Sequence, residues 1–427
     1  MSEPRSEPRS GPRSGRSLGY RALLADREFR ALYLSFTATS AAGTLAGLAL
    51  GTLVGRATGS PLLTTLSLYG GTLATVVGAL TLMSVADGRR PRRILLLLQA
   101  LTAAAVGLQA VPGLPLAGRF GLLLGLGFVS SLGTGARLGL LTEVMPPSGY
   151  APARSLLNVT AGATAVVGLA GAGLLLGRVA PNLLLLVAAA LVTAASLPLL
   201  TSVREHSTRP GRRPGLRGTW AADVALVRHP GRRVVLLNLW VPNGLVVGCE
   251  ALLLPLAPDR AGFLLAAGAA GLLLGDLVVG RVLTAAARRR GAFGLRVGLA
   301  APFLLFAVHP PMWAQVVAVT VASVGFAATL PLQEQLLALV PAADRGQAQG
   351  VDSAGRTAWQ GLGAVIGGAV AERVGPAAAI AVLASASLAV TVTTRPAVHR
   401  AAGFGRLSTV HRADTSRTRA GNEPNRG

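Results

Sequence analysis

Long apolar runs alternate with short arginine-bearing breaks from residue 31 to residue 394, and no other feature limits the fold of this chain so tightly. A helix needs about 20 apolar residues to cross the hydrocarbon core of a bilayer, with a range near 17 to 25. Twelve segments reach or approach that length: 31–54, 61–84, 94–112, 117–137, 156–177, 181–202, 234–256, 262–283, 295–309, 312–332, 357–371 and 376–394. In lipid a backbone must satisfy its own N–H and C=O groups, so runs of this length fold as helices. The expected fold is therefore all-α and integral to a membrane, with twelve transmembrane helices.

The arginines test that count. With twelve spans both termini lie on one side, and that side then holds 35 arginines against 5 on the other: Arg56, Arg119, Arg178, Arg260 and Arg373. Basic residues collect on the cytoplasmic side of a membrane protein. One missed span would invert every later loop and destroy the asymmetry. The expectation is a multi-pass protein of the cell membrane with both termini in the cytoplasm.

Charged residues make up 13% of the chain, against about 25% in a soluble domain. The formal net charge of +23 raises the question of nucleic acid, but all 40 basic residues are Arg and they flank apolar runs. A nucleic-acid binder gathers its basic residues on a folded, soluble face, so no nucleic-acid partner is expected. Without lysine there is no P-loop lysine to hold a nucleotide. The single cysteine, Cys249, lies inside an apolar run, which removes disulfides, and the five histidines form no metal pattern. No cofactor and no enzymatic activity are expected.

Residues 1–30 form a basic tail of low complexity, expected to be disordered, and 395–427 a second basic tail on the cytoplasmic side. Between them lie two halves, 31–202 and 234–394, joined by a basic linker over 203–233. The linker carries an amphipathic stretch, Trp220 to Val227, expected to rest on anionic lipid headgroups. A repeat supports the division. Leu140-Leu141-Thr142-Glu143-Val144-Met145-Pro146 closes the fourth span, and Leu336-Leu337-Ala338-Leu339-Val340-Pro341 closes the tenth; each precedes a polar loop and a glycine-rich helix. Parallel six-helix repeats with a substrate site between them are a recurrent transporter plan.

After the second span the chain reads Val85-Ala86-Asp87-Gly88-Arg89-Arg90-Pro91-Arg92-Arg93. This resembles the signature of the major facilitator superfamily, a Gly-x-x-x-Asp-Arg-x-Gly-Arg-Arg run between helices 2 and 3. Asp87, Arg92 and Arg93 match it; Met83 and Gly88 depart from it. The loop after the eighth span is its counterpart, with Gly280, Arg288, Arg289 and Arg290, and Thr284 in place of the acid. The opening Asp26-Arg27-Glu28-Phe29-Arg30, the turn Gly59-Ser60-Pro61, Glu143-Val144-Met145-Pro146-Pro147 and Gly346-Gln347-Ala348-Gln349-Gly350 look like the drug- and siderophore-exporter branch, in its actinobacterial form. The Gly-Pro pair of the antiporter signature in helix 5 is present only as glycines. The resemblance covers roughly residues 20 to 395. It implies two pseudo-symmetric six-helix bundles, and a gating contact for Asp87 with Arg92, Arg93 or the other half.

Two of the 17 acidic residues lie well inside the expected spans: Glu250 and Asp276. A carboxylate at mid-membrane costs about 2.5–3.5 kcal/mol on insertion scales and marks a functional candidate. Burial favours the protonated form of a carboxylic acid, which suits a proton carrier. Against that stand a pairing of Asp276 with Arg281, and a place for Glu250 near the outer headgroups. Arg137, Glu143 and Glu334 sit at cytoplasmic span ends as gate or anchor candidates, and Gly43, Gly47, Gly51 and Gly55 form a stripe along the first span that permits close helix approach. The resulting expectation is a monomeric secondary transporter exporting small amphipathic molecules by alternating access, with protons as the candidate coupling ion. An uptake permease and a transport-inactive receptor or scaffold are the alternatives.

Overall fold

Proline and glycine divide the chain. In the computed structural model, which describes residues 20–86, 91–205, 216–341 and 344–420, six of the long helices begin on a proline: Pro61, Pro91, Pro147, Pro181, Pro230 and Pro376. Proline suits a first helical turn because its missing N–H would have no partner there. The first long helix, α1 (Arg27–Thr58), is instead capped by Asp26, whose side chain accepts from the Phe29 N–H at 2.8 Å. It ends on Gly59 at φ 65°, a left-handed turn that glycine makes without strain.

The rods that follow are α2 (Pro61–Ala86), α3 (Pro91–Gln109), α4 (Leu116–Val144), α5 (Pro147–Leu176) and α6 (Pro181–Ser202). In the second half come α7 (Pro230–Ala251, continued by Leu253–Leu256), α8 (Ala261–Leu277, closed by a π turn over Val278–Val282) and α9 (Ala285–Ala300). At Pro302 α9 loses a backbone donor and tightens into a 3-10 stretch, Ala301–Val308. Then come α10 (Met312–Val324, Gly325–Ala328 and Thr329–Ala338), α11 (Arg345–Val374) and α12 (Pro376–Ala420).

Eleven of these are long and apolar enough to cross a membrane. The twelfth, α11, has the length, at 30 residues, but carries Arg345, Asp352 and Arg356 in its first half. The sequence pattern starts this span at 357 because it halts at charge. The helix extends further because Asp352 is enclosed by protein, not lipid. At the other end of the chain, α12 runs past residue 394 to Ala420.

The two halves repeat one packing scheme. In the first, α1 packs on α5 and α6, α2 on α4, and α3 on α6; in the second, α7 packs on α11 and α12, α8 on α10, and α9 on α12. Two seams join the halves, α2 against α11 and α5 against α8. Apolar packing is unevenly shared between the membrane faces. At the face where α1 starts (the near face), each half has its own core, one around Phe29, Leu140 and Leu141 and another around Leu236, Leu239 and Leu336. At the far face the core of the first half takes in Leu254 and Ala261 from the second. The halves are clamped there.

Between the halves runs a helix, Leu216–Arg228. Leu226 is buried in the near-face core of the second half, and Asp223 accepts from the Gln347 amide at 2.8 Å. The linker helix is thus tied to the start of α11 as well as presenting Trp220 outward.

Candidate functional site

The seams bring together side chains far apart in sequence, and the far end of the α2–α11 seam is held by an acid. Glu372, in the last turn of α11, accepts from the Ser60 hydroxyl and from the Leu62 N–H at 3.1 Å. Its carboxylate therefore caps the N-terminus of α2 from the opposite half, where the helix dipole favours negative charge. Just below, Gly368 lies against Leu62 and Thr65, and Gly361 against Leu73. The α5–α8 seam closes on glycine: a methyl added at Gly173 would stand 2.8 Å from the Gly262 Cα.

Deeper in the protein lies Glu250, near the end of α7. Its Oε1 accepts from the Ser323 hydroxyl of α10 at 3.0 Å. Gly268 of α8 leaves the room: a Cβ there would stand 3.6 Å from the same oxygen. The carboxylate also lies within electrostatic reach of Tyr69 on α2. Asp276, by contrast, is exposed on α8 and forms no ion pair with Arg281 among the described residues.

Near the opposite face, three residues singled out from separate sequence segments meet. Arg288 donates to the Glu334 carboxylate at 2.7 Å, to the Leu283 carbonyl at 3.1 Å and to the Gly280 carbonyl at 3.5 Å. One guanidinium therefore staples the end of α8 to α10. One residue before Glu334, Gln333 donates to Asp352 of α11 at 2.7 Å, and Arg356 lies 3.2 Å from the same oxygen. The first half arranges its matching arginines differently. Arg92 donates to the Leu199 and Leu200 carbonyls at the end of α6, at 3.1 and 2.8 Å, and Arg93 pairs with Glu205 at 3.5 Å. These bonds tie α3 to the end of α6 and to the start of the linker. Asp87 lies outside the described residues. Arg137 sits over the Phe36 ring, 4.7 Å from its centroid, a cation–π contact, and makes no ion pair among the described residues. Arg289 and Glu143 are exposed, outside these clusters.

The halves also meet at the near face. Tyr20, ahead of α1, has its hydroxyl pKa lowered below the usual phenol value by the Ser155 side chain of α5 and by Arg281 at the end of α8. Tyr20, Asp352 and Glu372 all escaped the sequence reading. Asp352 fell outside the expected span. Glu372 sits at a helix end where acids are ordinary, and nothing in sequence links it to Ser60, 312 positions away.

Compared with protein-family models and with curated proteins, the sequence has no match. Solved structures do match. The nucleoside transporter NupG, in a point-mutant form, is 16% identical, covering 86% of this chain and 99% of its own, with a TM-score of 0.67. A POT family transporter in complex with 5-aminolevulinic acid is 11% identical over 90% of this chain and 98% of its own, with a TM-score of 0.70. A bacterial homologue of the human lysosomal transporter Spinster, inward-facing and unoccupied, is 14% identical over 89% of this chain and 95% of its own, at 0.60. At such identities the likeness is one of fold. This chain has the all-α fold of the major facilitator transporters, in two six-helix bundles.

Proposed function

We propose that this protein is a secondary transporter of the major facilitator superfamily, in the drug- and siderophore-exporter branch. It moves small amphipathic molecules out of the cell by alternating access, with protons as the coupling ion. It works as a monomer in the cell membrane, with the near face and both termini in the cytoplasm. The observation that carries this reading is Glu250, an acid inside a span, held by Ser323 of α10. A carboxylic acid inside a membrane protein can take up and release a proton as the halves move. The far-face clamp supports the same cycle. The Glu372 bonds to Ser60 and Leu62 exist only while α2 and α11 are together there, so opening the far face must break them.

The test is flux driven by a pH gradient into liposomes holding the purified protein, over a panel of lipophilic cations, antibiotics and metabolites. Glu250→Gln should lose flux by about a hundredfold, the low end of what a positioned acid–base group contributes. Asp276→Asn should keep it. Equal flux in wild type and Glu250→Gln would remove the coupling role from Glu250 while leaving the transporter reading in place. No flux for any compound would favour a receptor or scaffold.

A further inference from the structure

Arg296 of α9 lies inside the second half, at 4% exposure. Its Nη2 donates to the Thr391 hydroxyl of α12 at 3.2 Å, its Nε has no partner, and it forms no ion pair among the described residues. The buried arginine of the first half, Arg119, is held differently. It donates to the Gln109, Val111 and Leu114 carbonyls, and so closes the turn between α3 and α4. Arg296 closes no turn. A charge taken out of water persists only where something pairs with it, and the protein supplies no such partner.

The surroundings add positive charge instead. One turn back along α9, the Phe293 ring carries the guanidinium of Arg395 from α12, 4.2 Å from its centroid. Because α9 leaves the near face and α12 returns to it, this pair lies one turn nearer that face than Arg296 and Thr391. Arg395 is exposed and has no ion pair among the described residues, and Arg289 and Arg400 are exposed farther in the same direction. No acid occurs on α9, nor on α12 from Pro376 to Arg400. On neighbouring α10, Glu334 is taken by Arg288. Arg296 and Arg395 stand at the near-face ends of the apolar runs 295–309 and 376–394, where hydrocarbon gives way to headgroups.

We infer that the near-face seam of α9 and α12 binds the headgroup phosphate of an anionic phospholipid, with Arg395 as its exposed contact and Arg296 as the buried charge it neutralises. Each guanidinium reaches across to the other helix, Arg296 to Thr391 and Arg395 to Phe293. Two forks held this way, one turn apart, suit a single anion with several acceptor oxygens. A lipid is the source because both groups stand at the membrane boundary, and basic pockets between spanning helices hold such headgroups. Neither α9 nor α12 belongs to the α2–α11 or α5–α8 seam, so the site does not depend on which face is open.

The test takes the full chain in a neutral detergent and reads its thermal midpoint against added phosphatidylglycerol, phosphatidylcholine or inorganic phosphate. Phosphatidylglycerol should raise the midpoint; the other two should not at the same concentration. Arg395→Gln should raise the lipid concentration for half the response about fivefold, the worth of one arginine at an anionic surface. Arg228→Gln, which removes an exposed arginine of the linker helix, should leave that concentration unchanged. Arg296→Met should raise it at least about tenfold, since bonds to a charged group are the stronger kind. If Arg296→Met does not fold, Arg395→Gln against Arg228→Gln decides alone. Equal responses to the two lipids, a response to inorganic phosphate, an unchanged response in folded Arg296→Met, or equal losses in Arg395→Gln and Arg228→Gln would each overturn the inference. The readout requires no flux, so it stands apart from the transporter reading.

Discussion

The two halves share a helix plan and differ in how their first helices are packed. Where α1 meets α5, the Ser40 and Thr164 hydroxyls bond at 2.9 Å, and Gln99 of α3 donates to Ser35 and Thr39 of α1 at 2.6 and 3.2 Å. These contacts are neutral and leave a cavity nearby. Where α7 meets α11, backbone lies on backbone: a methyl at Gly363 would collide with the Gly244 carbonyl, and one at Gly248 with the Gly363 carbonyl. The second half also holds Glu250, the Arg288–Glu334 pair and the Asp352–Arg356 pair in its helices. Close backbone contact is not confined to that half, since a methyl at Gly127 would collide with the Gly71 carbonyl. Charge in a membrane protein demands satisfied surroundings, and the second half supplies them through Ser323, Glu334 and Gln333.

The largest expected effect comes from unpairing a charge in the second half. Asp352 is 1% exposed, accepts from Gln333 and lies beside Arg356. Asp352→Ala strands both partners. Breaking a buried pair from one side costs about 3–5 kcal/mol, and the low end, about 3 kcal/mol, applies because Arg356 keeps some solvent contact. The thermal midpoint of the detergent-solubilised variant should fall sharply. Gln99→Leu, the neutral counterpart in the first half, should cost about 1 kcal/mol, the scale of a neutral hydrogen bond. Equal losses in both would break the contrast between a charged and a neutral half.

Next in size is a contrast in space. Gly363→Leu drives a side chain into the Gly244 backbone, and overpacking costs about 1–3 kcal/mol even where side chains can yield. Gly47→Leu points into open cavity and should leave the midpoint unchanged or raise it. A fall of the same size for both would show that the first half is as tightly packed in the membrane as the second.

Much of this arrangement is legible in the sequence, and the limits have physical causes. Hydropathy and arginine placement give the helix count because lipid and water sort residues strongly and locally. Helix starts are less legible: α5, α9 and α11 begin before the expected spans, at Pro147, Ala285 and Arg345. For α11 the reason is Asp352, which Gln333 of another helix stabilises, a partner that no local window contains. Glu250 is legible as an anomaly, an acid in an apolar run, but its bond to Ser323 is not. Gly280, Arg288 and Glu334 come from two different sequence arguments, and only packing brings them together. The glycine stripe reads as uniform in sequence. Its division into two packed and two open positions depends on what the neighbouring helices present, Leu68 and Leu254 at one end and nothing at the other.

The smallest effect separates the two seams. On α2–α11 the far end is latched by Glu372 across the halves, while α5–α8 closes on Gly173 and Gly262 with no charge. Losing a helix cap costs about 1 kcal/mol, and here the cost falls only on the far-closed state, since the bonds to Ser60 and Leu62 exist only there. Glu372→Ala should therefore shift the balance toward far-open by about fivefold, without lowering the thermal midpoint of either bundle. A cysteine at Leu254, which is 2% exposed and packed into the far-face core of the other half, reports that opening. Its modification by an impermeant thiol reagent added to the far side should run about fivefold faster in Leu254→Cys with Glu372→Ala than in Leu254→Cys alone. If the two rates agree, Glu372 is an ordinary surface cap, and the far face is held by the apolar contact of Leu254 and Ala261 and by the glycine seam. The two seams would then be equivalent, and the asymmetry between the halves would stop at their interiors.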